Sequence, residues 1–214
     1  GPASDPQISS AHMASPSPGS DIPDDEALLR TVDFTALQEE TNAHIYAWIS
    51  IPGTRIDYPM LQHPSDNTHY LNHNLDGSRG YPGCIYTEKE NAADFSDFNT
   101  VIYGHNMKNG SMFAGLKDYS SKSYLDAHPY IYIDLADGSH CYQIFSCHEA
   151  SVSDNCYTIG YQPDDVYAAF LESMQAASLY DTGVEVGIED YVVTLSTCTK
   201  NGTKRFVVHA RKIY

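Results

Sequence analysis

Basic residues and long apolar stretches are both scarce in this sequence. The chain has 12 Lys and Arg against 28 Asp and Glu, which gives a formal net charge of −16 at pH 7. That charge would repel a nucleic-acid backbone and an anionic membrane surface, so the composition argues against electrostatic binding to either. The sequence has no stretch of about 18 or more apolar residues, so it predicts no membrane-spanning helix.

The cysteines lack the spacings of common metal and redox motifs. They are Cys84, Cys141, Cys147, Cys156 and Cys198. No two of them form a C-x-x-C pair, and the odd count leaves at least one thiol unpaired if the others pair within the chain. Cys147, His148 and Cys156 could belong to a metal site, but no fourth ligand follows at a motif-like spacing. Small buried thiols on strands are the better interpretation.

The sequence has room for one globular domain. Residues 1–15 are interpreted as protease-site and cloning residues, and residues 16–23, rich in Pro, Ser and Gly, as a linker. Residues 24–214 then form a single domain, and a native signal or anchor is expected to have been removed upstream of Asp21. The 17 Tyr residues favour a β-rich domain with a groove.

The hydrophobic pattern predicts a β-barrel with peripheral helices. Helices are predicted at 24–49, 66–71 and 111–119, and from Pro163 onwards. Strands are predicted at 56–61, 83–86, 99–104, 130–135, 140–147, 191–197 and 205–210. Asp33 or Thr35 would cap the second part of the first helix, and Asp164 and Asp165 would lie in the first turn of the last one. A barrel fits this order of elements better than βαβ units do.

Three residues with chemical potential lie at the ends of predicted strands. Cys198 ends the apolar strand that begins at Tyr191, and His105 follows the strand 99–104. Arg205 opens the last strand, seven residues after Cys198, so a hairpin can bring it beside the thiol. A thiol needs a proton partner, which His can be near neutrality, and a fixed cation stabilises a thiolate or a developing oxyanion. Taken singly, each residue is more often structural than catalytic.

In combination, these segments resemble the sortase signature. The sequence Thr194-Leu-Ser-Thr-Cys198, the downstream Arg205 and the upstream Tyr103-Gly-His105-Asn match that family's catalytic strands. Three further segments resemble class B sortases in particular: Trp48-Ile-x-Ile-Pro-Gly-Thr54, Ile56-Asp-Tyr-Pro59 and Tyr103-Gly-His-Asn-Met107.

The resemblance implies a fold and a reaction. The fold would be mainly β: a closed eight-stranded barrel with N-terminal helices and a helix before the catalytic strand. The reaction would be cleavage of a C-terminal sorting motif after Thr, through a thioester on Cys198, with transfer of the acyl group to a cell-wall or pilin amine. His105 would move the proton, and Arg205 with the backbone N–H of Thr199 would stabilise the oxyanion. No metal or organic cofactor is implied, and such enzymes are anchored on the outer face of the membrane of Gram-positive bacteria.

The resemblance also implies a groove for the sorting peptide. By position, Asn67, Leu71, Tyr103 and Ser196 match family residues that contact the peptide or lie beside the catalytic pair. One departure is that some relatives have an acidic residue directly after the Cys, where this sequence has Thr199 followed by a lysine.

Two alternatives stay open from the residues alone. A papain-like hydrolase would have its Cys before its His in the chain, and the thiol on a helix. A non-catalytic peptide-binding barrel would not need Cys198, His105 and Arg205 together. A thiol-reactive probe distinguishes the second alternative from an enzyme.

Overall fold

The computed structural model describes residues 31–198 and 202–214. Its strands are β1 (Ile45–Ser50), β2 (Asp57–Leu61), β3 (Ile85–Tyr86), β4 (Asn99–His105), β5 (Tyr130–Leu135), β6 (Gly138–Ser151), β7 (Val192–Cys198) and β8 (Lys204–Lys212). Its α-helices are α1 (Phe34–Glu40), α2 (Lys122–Ala127) and α3 (Asp165–Ala177). Short 3₁₀ helices lie at His69–Leu71, Ala114–Ser120 and Asn155–Tyr157.

The strands form one closed barrel in the order β1-β2-β3-β4-β7-β8-β6-β5. The β2–β3 and β4–β7 pairs are parallel, and the other neighbouring pairs are antiparallel. Apolar side chains from all eight strands are buried, and the largest buried cluster fills the interior. The prediction of a mainly β, closed eight-stranded barrel is confirmed. The segments interpreted as cloning residues and linker, 1–15 and 16–23, lie outside the described residues.

The long first helix was predicted wrongly beyond residue 40. Asp33 caps α1 as expected, because its carboxylate accepts a hydrogen bond from the Ala36 amide at 2.9 Å. The helix ends at Glu40, and Ile45–Ser50 is strand β1. That strand pairs with β2 on one side and β5 on the other, and five of its six residues are buried. A strand buried on both faces has a nearly continuous apolar sequence, which periodicity alone cannot distinguish from a buried helix.

Helix α3 precedes β7 as predicted, with a shifted start. It begins at Asp165, and Asp164 is the N-cap, whose carboxylate accepts from the amides of the second and third residues that follow it. Val166 is 67% exposed, whereas Tyr167 is buried. The side chain of Tyr167 reaches the barrel end, where its hydroxyl donates to the carbonyl of Asp190 at 2.6 Å.

All five cysteines are present as thiols without disulfides. Four of them are buried, and Cys198 is partly exposed.

The helices of the described residues include none with the length and apolar character of a membrane span.

A buried polar chain joins four barrel strands. The Nε2 atoms of His148 on β6 and His209 on β8 lie 2.9 Å apart. His209 Nδ1 lies 2.9 Å from the hydroxyl of Thr194 on β7, which donates to the side-chain oxygen of Asn99 on β4 at 2.7 Å. Burial, followed by the nearby His148, holds the pKa of His209 well below its ordinary value. The histidine is therefore neutral in the folded protein.

This buried histidine predicts a loss of stability in mild acid. The unfolded chain binds a proton at His209 near pH 6.5 and the folded chain does not, so the free energy of unfolding falls as pH drops below about 6.5. One such group contributes a slope of at most about 1.4 kcal/mol per pH unit. We expect His209→Gln to flatten the dependence between pH 7.5 and 5.5, measured by urea unfolding at each pH. A slope equal to that of the wild type would contradict the assignment.

Candidate active site

The three predicted catalytic residues lie on three neighbouring strands of the barrel, β4, β7 and β8. In the parallel β4–β7 ladder, His105 and Cys198 are register partners, so their side chains extend from the same face. The antiparallel β7–β8 ladder includes the pair Ser196↔Val207, and the same register continued by two residues brings Cys198 opposite Arg205. The sequence-predicted trio thus meets at one end of the barrel.

The environment of the thiol favours its neutral form. The Tyr86 hydroxyl lies 3.8 Å from the Cys198 Sγ. Burial is the largest influence and raises the pKa of Cys198 to about 11, and the Glu88 carboxylate raises it further. The Tyr86 hydrogen bond and the Arg205 charge act in the opposite direction and lower it. At neutral pH the thiol is therefore almost entirely protonated.

The ring of His105 is held by its surroundings on both sides. Its Nε2 donates to the carbonyl of Leu71, so in the neutral ring Nδ1 is the nitrogen that can accept a proton. The Tyr81 ring packs edge-on against it with centroids 5.0 Å apart. Gly83, at φ +66°, is close enough that a Cβ there would lie 3.3 Å from the ring and 2.5 Å from the Tyr70 carbonyl. The glycine keeps the loop 72–84 against the imidazole.

Arg205 is oriented by main-chain carbonyls. Its Nη1 donates to Gly202 at 2.6 Å and to Lys204 at 3.2 Å. Its positive charge lowers the pKa of both Cys198 and Tyr157, which indicates that the guanidinium lies near these two side chains. A cation fixed at this point can stabilise negative charge that develops beside the sulfur.

The predicted groove residues differ in how close they lie to the trio. Ser196 is buried, and its hydroxyl lies 2.8 Å from the Tyr157 hydroxyl. Tyr103 stacks between Tyr86 and Tyr157, with centroids 5.3 and 6.1 Å away. Leu71 contacts the trio because its carbonyl oxygen accepts a hydrogen bond from Nε2 of His105.

Asn67 is engaged by the loop that follows β3. Its side-chain oxygen accepts from the amide of Lys89, and its amide group donates to Glu90, both at 2.8 Å. In this arrangement Asn67 fixes the loop that carries Glu88. Thr199, predicted as an oxyanion donor, lies outside the described residues.

The sequence reasoning missed three residues of the site, Tyr86, Glu88 and Tyr157. The negative charge of Glu88 raises the pKa of Tyr86 and Tyr103 as well as that of the thiol. In the sequence, Tyr86 and Tyr157 are two of 17 tyrosines, and Glu88 is one of 28 acidic residues, so no spacing singles them out. Only the closure of the barrel brings them to Cys198.

The described residues contain no cluster of three or more His, Cys, Asp or Glu that could hold a metal ion. The weak candidate from the sequence, Cys147 with His148 and Cys156, does not come together. Cys147 Sγ lies 3.1 Å from the carbonyl of Tyr119, whereas the ring of His148 is hydrogen-bonded to His209.

Comparisons with known proteins agree with this geometry. Residues 49–213 match the family model described as "Sortase domain". Sortase B of Listeria monocytogenes is 35% identical over 160 residues, which cover 75% of this chain and 65% of the relative. The chain thus spans just under two thirds of that relative's length.

Two solved structures share the barrel. One is described as a Staphylococcus aureus sortase B–substrate complex, with a TM-score of 0.79, 32% identity and 84% of each chain covered. The other, a sortase B complexed with triglycine, has a TM-score of 0.79 and 32% identity and covers 84% of this chain and 85% of its own.

An eight-stranded barrel of this topology, matched along most of its length, defines the sortase class of fold. The chain belongs to the sortase family, and its relatives place it with the class B sortases. The papain-like alternative does not fit, because Cys198 ends a strand and not a helix.

The surroundings of the thiol predict its titration. We expect alkylation of Cys198 by iodoacetamide to accelerate with pH toward an apparent pKa of about 11. Removing the opposing charges in turn should separate their effects: Glu88→Gln should lower the apparent pKa, and Arg205→Gln should raise it. His105→Ala should leave it nearly unchanged. A large rise in the His105 variant would instead reveal a thiolate–imidazolium pair. The alkylated site is identified by peptide mass mapping.

Proposed function

We propose that this chain cleaves a sorting signal after a Thr residue and transfers the acyl group to an amine. The observation that supports this most is that Cys198, His105 and Arg205 lie on neighbouring strands at the same end of the barrel. Sulfur, base and fixed cation are the groups that acyl transfer through a thioester needs. Nothing in the reaction calls for a metal or an organic cofactor.

The chemistry follows from the protonation states of the site. Cys198 starts as a thiol, and its Sγ attacks the Thr carbonyl while its proton passes to His105. Arg205, together with the backbone N–H of Thr199, stabilises the oxyanion of the tetrahedral intermediate. His105 then protonates the departing amine as the C–N bond breaks, leaving a thioester on Cys198.

The second half of the reaction mirrors the first. The nitrogen of the acceptor amine attacks the thioester carbonyl, the C–S bond breaks, and the amine proton returns through His105 to the sulfur. Both halves exchange one acyl bond for another, so no oxidant or reductant is needed. Water is the competing acceptor, and its exclusion decides between transfer and hydrolysis.

Tyr103, with Asn67 and Leu71, is proposed to contact the sorting peptide, while the buried Ser196 would support the groove wall through its hydrogen bond with Tyr157. The aromatic stack around Tyr103 offers a flat wall beside the sulfur, and the loop fixed by Asn67 offers a polar one. A relative of 32% identity has been solved as a substrate complex, which supports a peptide site on this barrel.

The partners and location follow from the family. The donor would be the sorting signal of a secreted surface protein, and the acceptor a cell-wall or pilin amine. A location on the outer face of a Gram-positive membrane, through an N-terminal anchor, is proposed from relatives in Listeria and Staphylococcus. An incubation with a panel of fluorogenic sorting peptides, with and without candidate amines, tests the donor and the acceptor separately when products are identified by mass.

Cys198→Ala is expected to abolish both cleavage and transfer, because it removes the nucleophile. Turnover of a cleavable sorting peptide is followed by fluorescence. Cys141→Ala, which changes a buried thiol near the opposite end of the barrel from Arg205, serves as the matched control and should keep most of the activity. Near-wild-type turnover by Cys198→Ala would rule out the proposed mechanism.

Arg205→Lys is expected to lower kcat by about 10²–10³ although it conserves charge. The guanidinium is a planar fork, and an ammonium offers a single point of charge, so the oxyanion loses a directed donor. Steady-state kinetics measure kcat, and circular dichroism checks that the variant is folded. An unchanged kcat would make Arg205 a surface charge only.

A further inference from the structure

A cavity of about 640 Å³ opens at the end of the barrel where β4 finishes in His105. Its walls come from the turn between β1 and β2, residues 53–56, from the segment after β4 between Asn106 and Tyr119, and from Tyr124 of α2. The volume falls within the range of about 300–1,000 Å³ that is common for ligand sites. Among the described residues that line it, none belongs to the predicted peptide groove of Asn67, Leu71, Tyr103 and Ser196.

The cavity is connected to the candidate nucleophile through the main chain. Asn106, which directly follows His105, lines the cavity, and its amide donates to the carbonyl of Cys198 at 3.3 Å. The strand directions agree with this placement: β2 is parallel to β3, and β3 is antiparallel to β4. The turn that begins β2 therefore lies at the same end of the barrel as His105.

The charge of the cavity is opposite to that of the whole chain. Arg55, Lys108 and Lys117 line it, against a single acidic side chain, Asp118. In the sequence as a whole, acidic residues outnumber Lys and Arg by 28 to 12. Three cations around one concave site in so acidic a protein create a local field that attracts an anion.

Arg55 is fixed by a hydrogen bond to the main chain, whereas the two lysines are not held in ion pairs by any residue that the structure describes. The Arg55 Nη1 donates to the Asn109 carbonyl at 2.6 Å, which holds the guanidinium at the rim. Within the described part of the chain, neither Lys108 nor Lys117 takes part in an ion pair. Met107 and Tyr124 add apolar surface between them. The site therefore suits a ligand with a short stem and an anionic group.

We propose that this cavity binds an anionic group, a carboxylate or a phosphate, carried by the acceptor amine. The inference rests on the proposed transfer reaction. The donor peptide occupies the groove on the Leu71 side of His105, so the acceptor reaches the thioester from the side of Asn106. Lys108 and Lys117 then hold its anion while its amine is directed at the acyl carbon. They act as specificity-determining residues, and the proton passes through His105.

Matched pairs of acceptors test the proposal. Triglycine carries a carboxylate that triglycine amide lacks, and 2-aminoethyl phosphate carries a phosphate that ethanolamine lacks. We expect the wild type to have a lower KM for the anionic member of at least one pair, and the pair that shows it identifies the anion. Lys108→Gln and Lys117→Gln should each raise that KM about fivefold, with little change for the neutral member.

Two controls separate this proposal from the proposed function. Lys212→Gln makes the same charge change at the far end of β8 and should leave the acceptor KM unchanged. Hydrolysis of the sorting peptide without amine should be equal in all three lysine variants, because the cavity takes no part in forming the thioester. Absence of peptide cleavage by the wild type would refute the transpeptidase function. Intact cleavage with equal KM for both members of each pair would refute the proposed anion binding in the cavity.

Direct binding provides a test that does not need turnover. Triglycine and 2-aminoethyl phosphate are each titrated into Cys198→Ala protein and followed by NMR, with triglycine amide and ethanolamine as the comparisons. We expect shifts at Met107 and Lys117 with the anionic member of the pair that the kinetics identify, and a weakened response in Lys108→Gln. Equal binding of the two members of both pairs, or shifts confined to the peptide groove, would overturn the assignment.

Discussion

The parallel pairing of β4 with β7 is the constraint on which the site depends. Seven register pairs run from Asn99↔Val192 to His105↔Cys198. Because side chains alternate between the two faces of a strand, a slip of one residue would turn Cys198 away from His105. The register is held at its start by the hydrogen bond from Thr194 to Asn99. Near its end, Gly104 lets the strand pack closely, since a Cβ there would lie 2.5 Å from the Ile85 side chain.

The electrostatics of the site are a balance between burial and opposing charges. Burial dominates and keeps the thiol protonated, while Glu88 and Arg205 act on it in opposite directions. A cysteine without strong ionisation is a weak nucleophile until a base takes its proton. Removal of the thiol proton would therefore depend on His105, whose ring is fixed by the Leu71 carbonyl and by Tyr81. Positioning, and not a preformed thiolate, would then supply much of the catalysis.

His105 separates two surfaces of different character. On the Leu71 side lie the stacked tyrosines and the loop fixed by Asn67. On the Asn106 side lies the cationic cavity. In the proposed transfer reaction two substrates reach one sulfur in turn, and surfaces that differ in charge would direct each substrate to its own side. The acidic remainder of the chain increases this contrast.

The apolar pattern of the sequence alone predicted a barrel and most of its strands, and the resemblance to the sortase signature singled out Cys198, His105 and Arg205. The apolar pattern misassigned Ile45–Ser50, since a strand buried on both faces has no alternating pattern. Tertiary structure alone decided that Tyr86 contacts the thiol, that the charge of Glu88 acts on it, and that Lys108 and Lys117 share a cavity. The physical reason is that such contacts form between residues far apart in the chain, and only barrel closure sets their register.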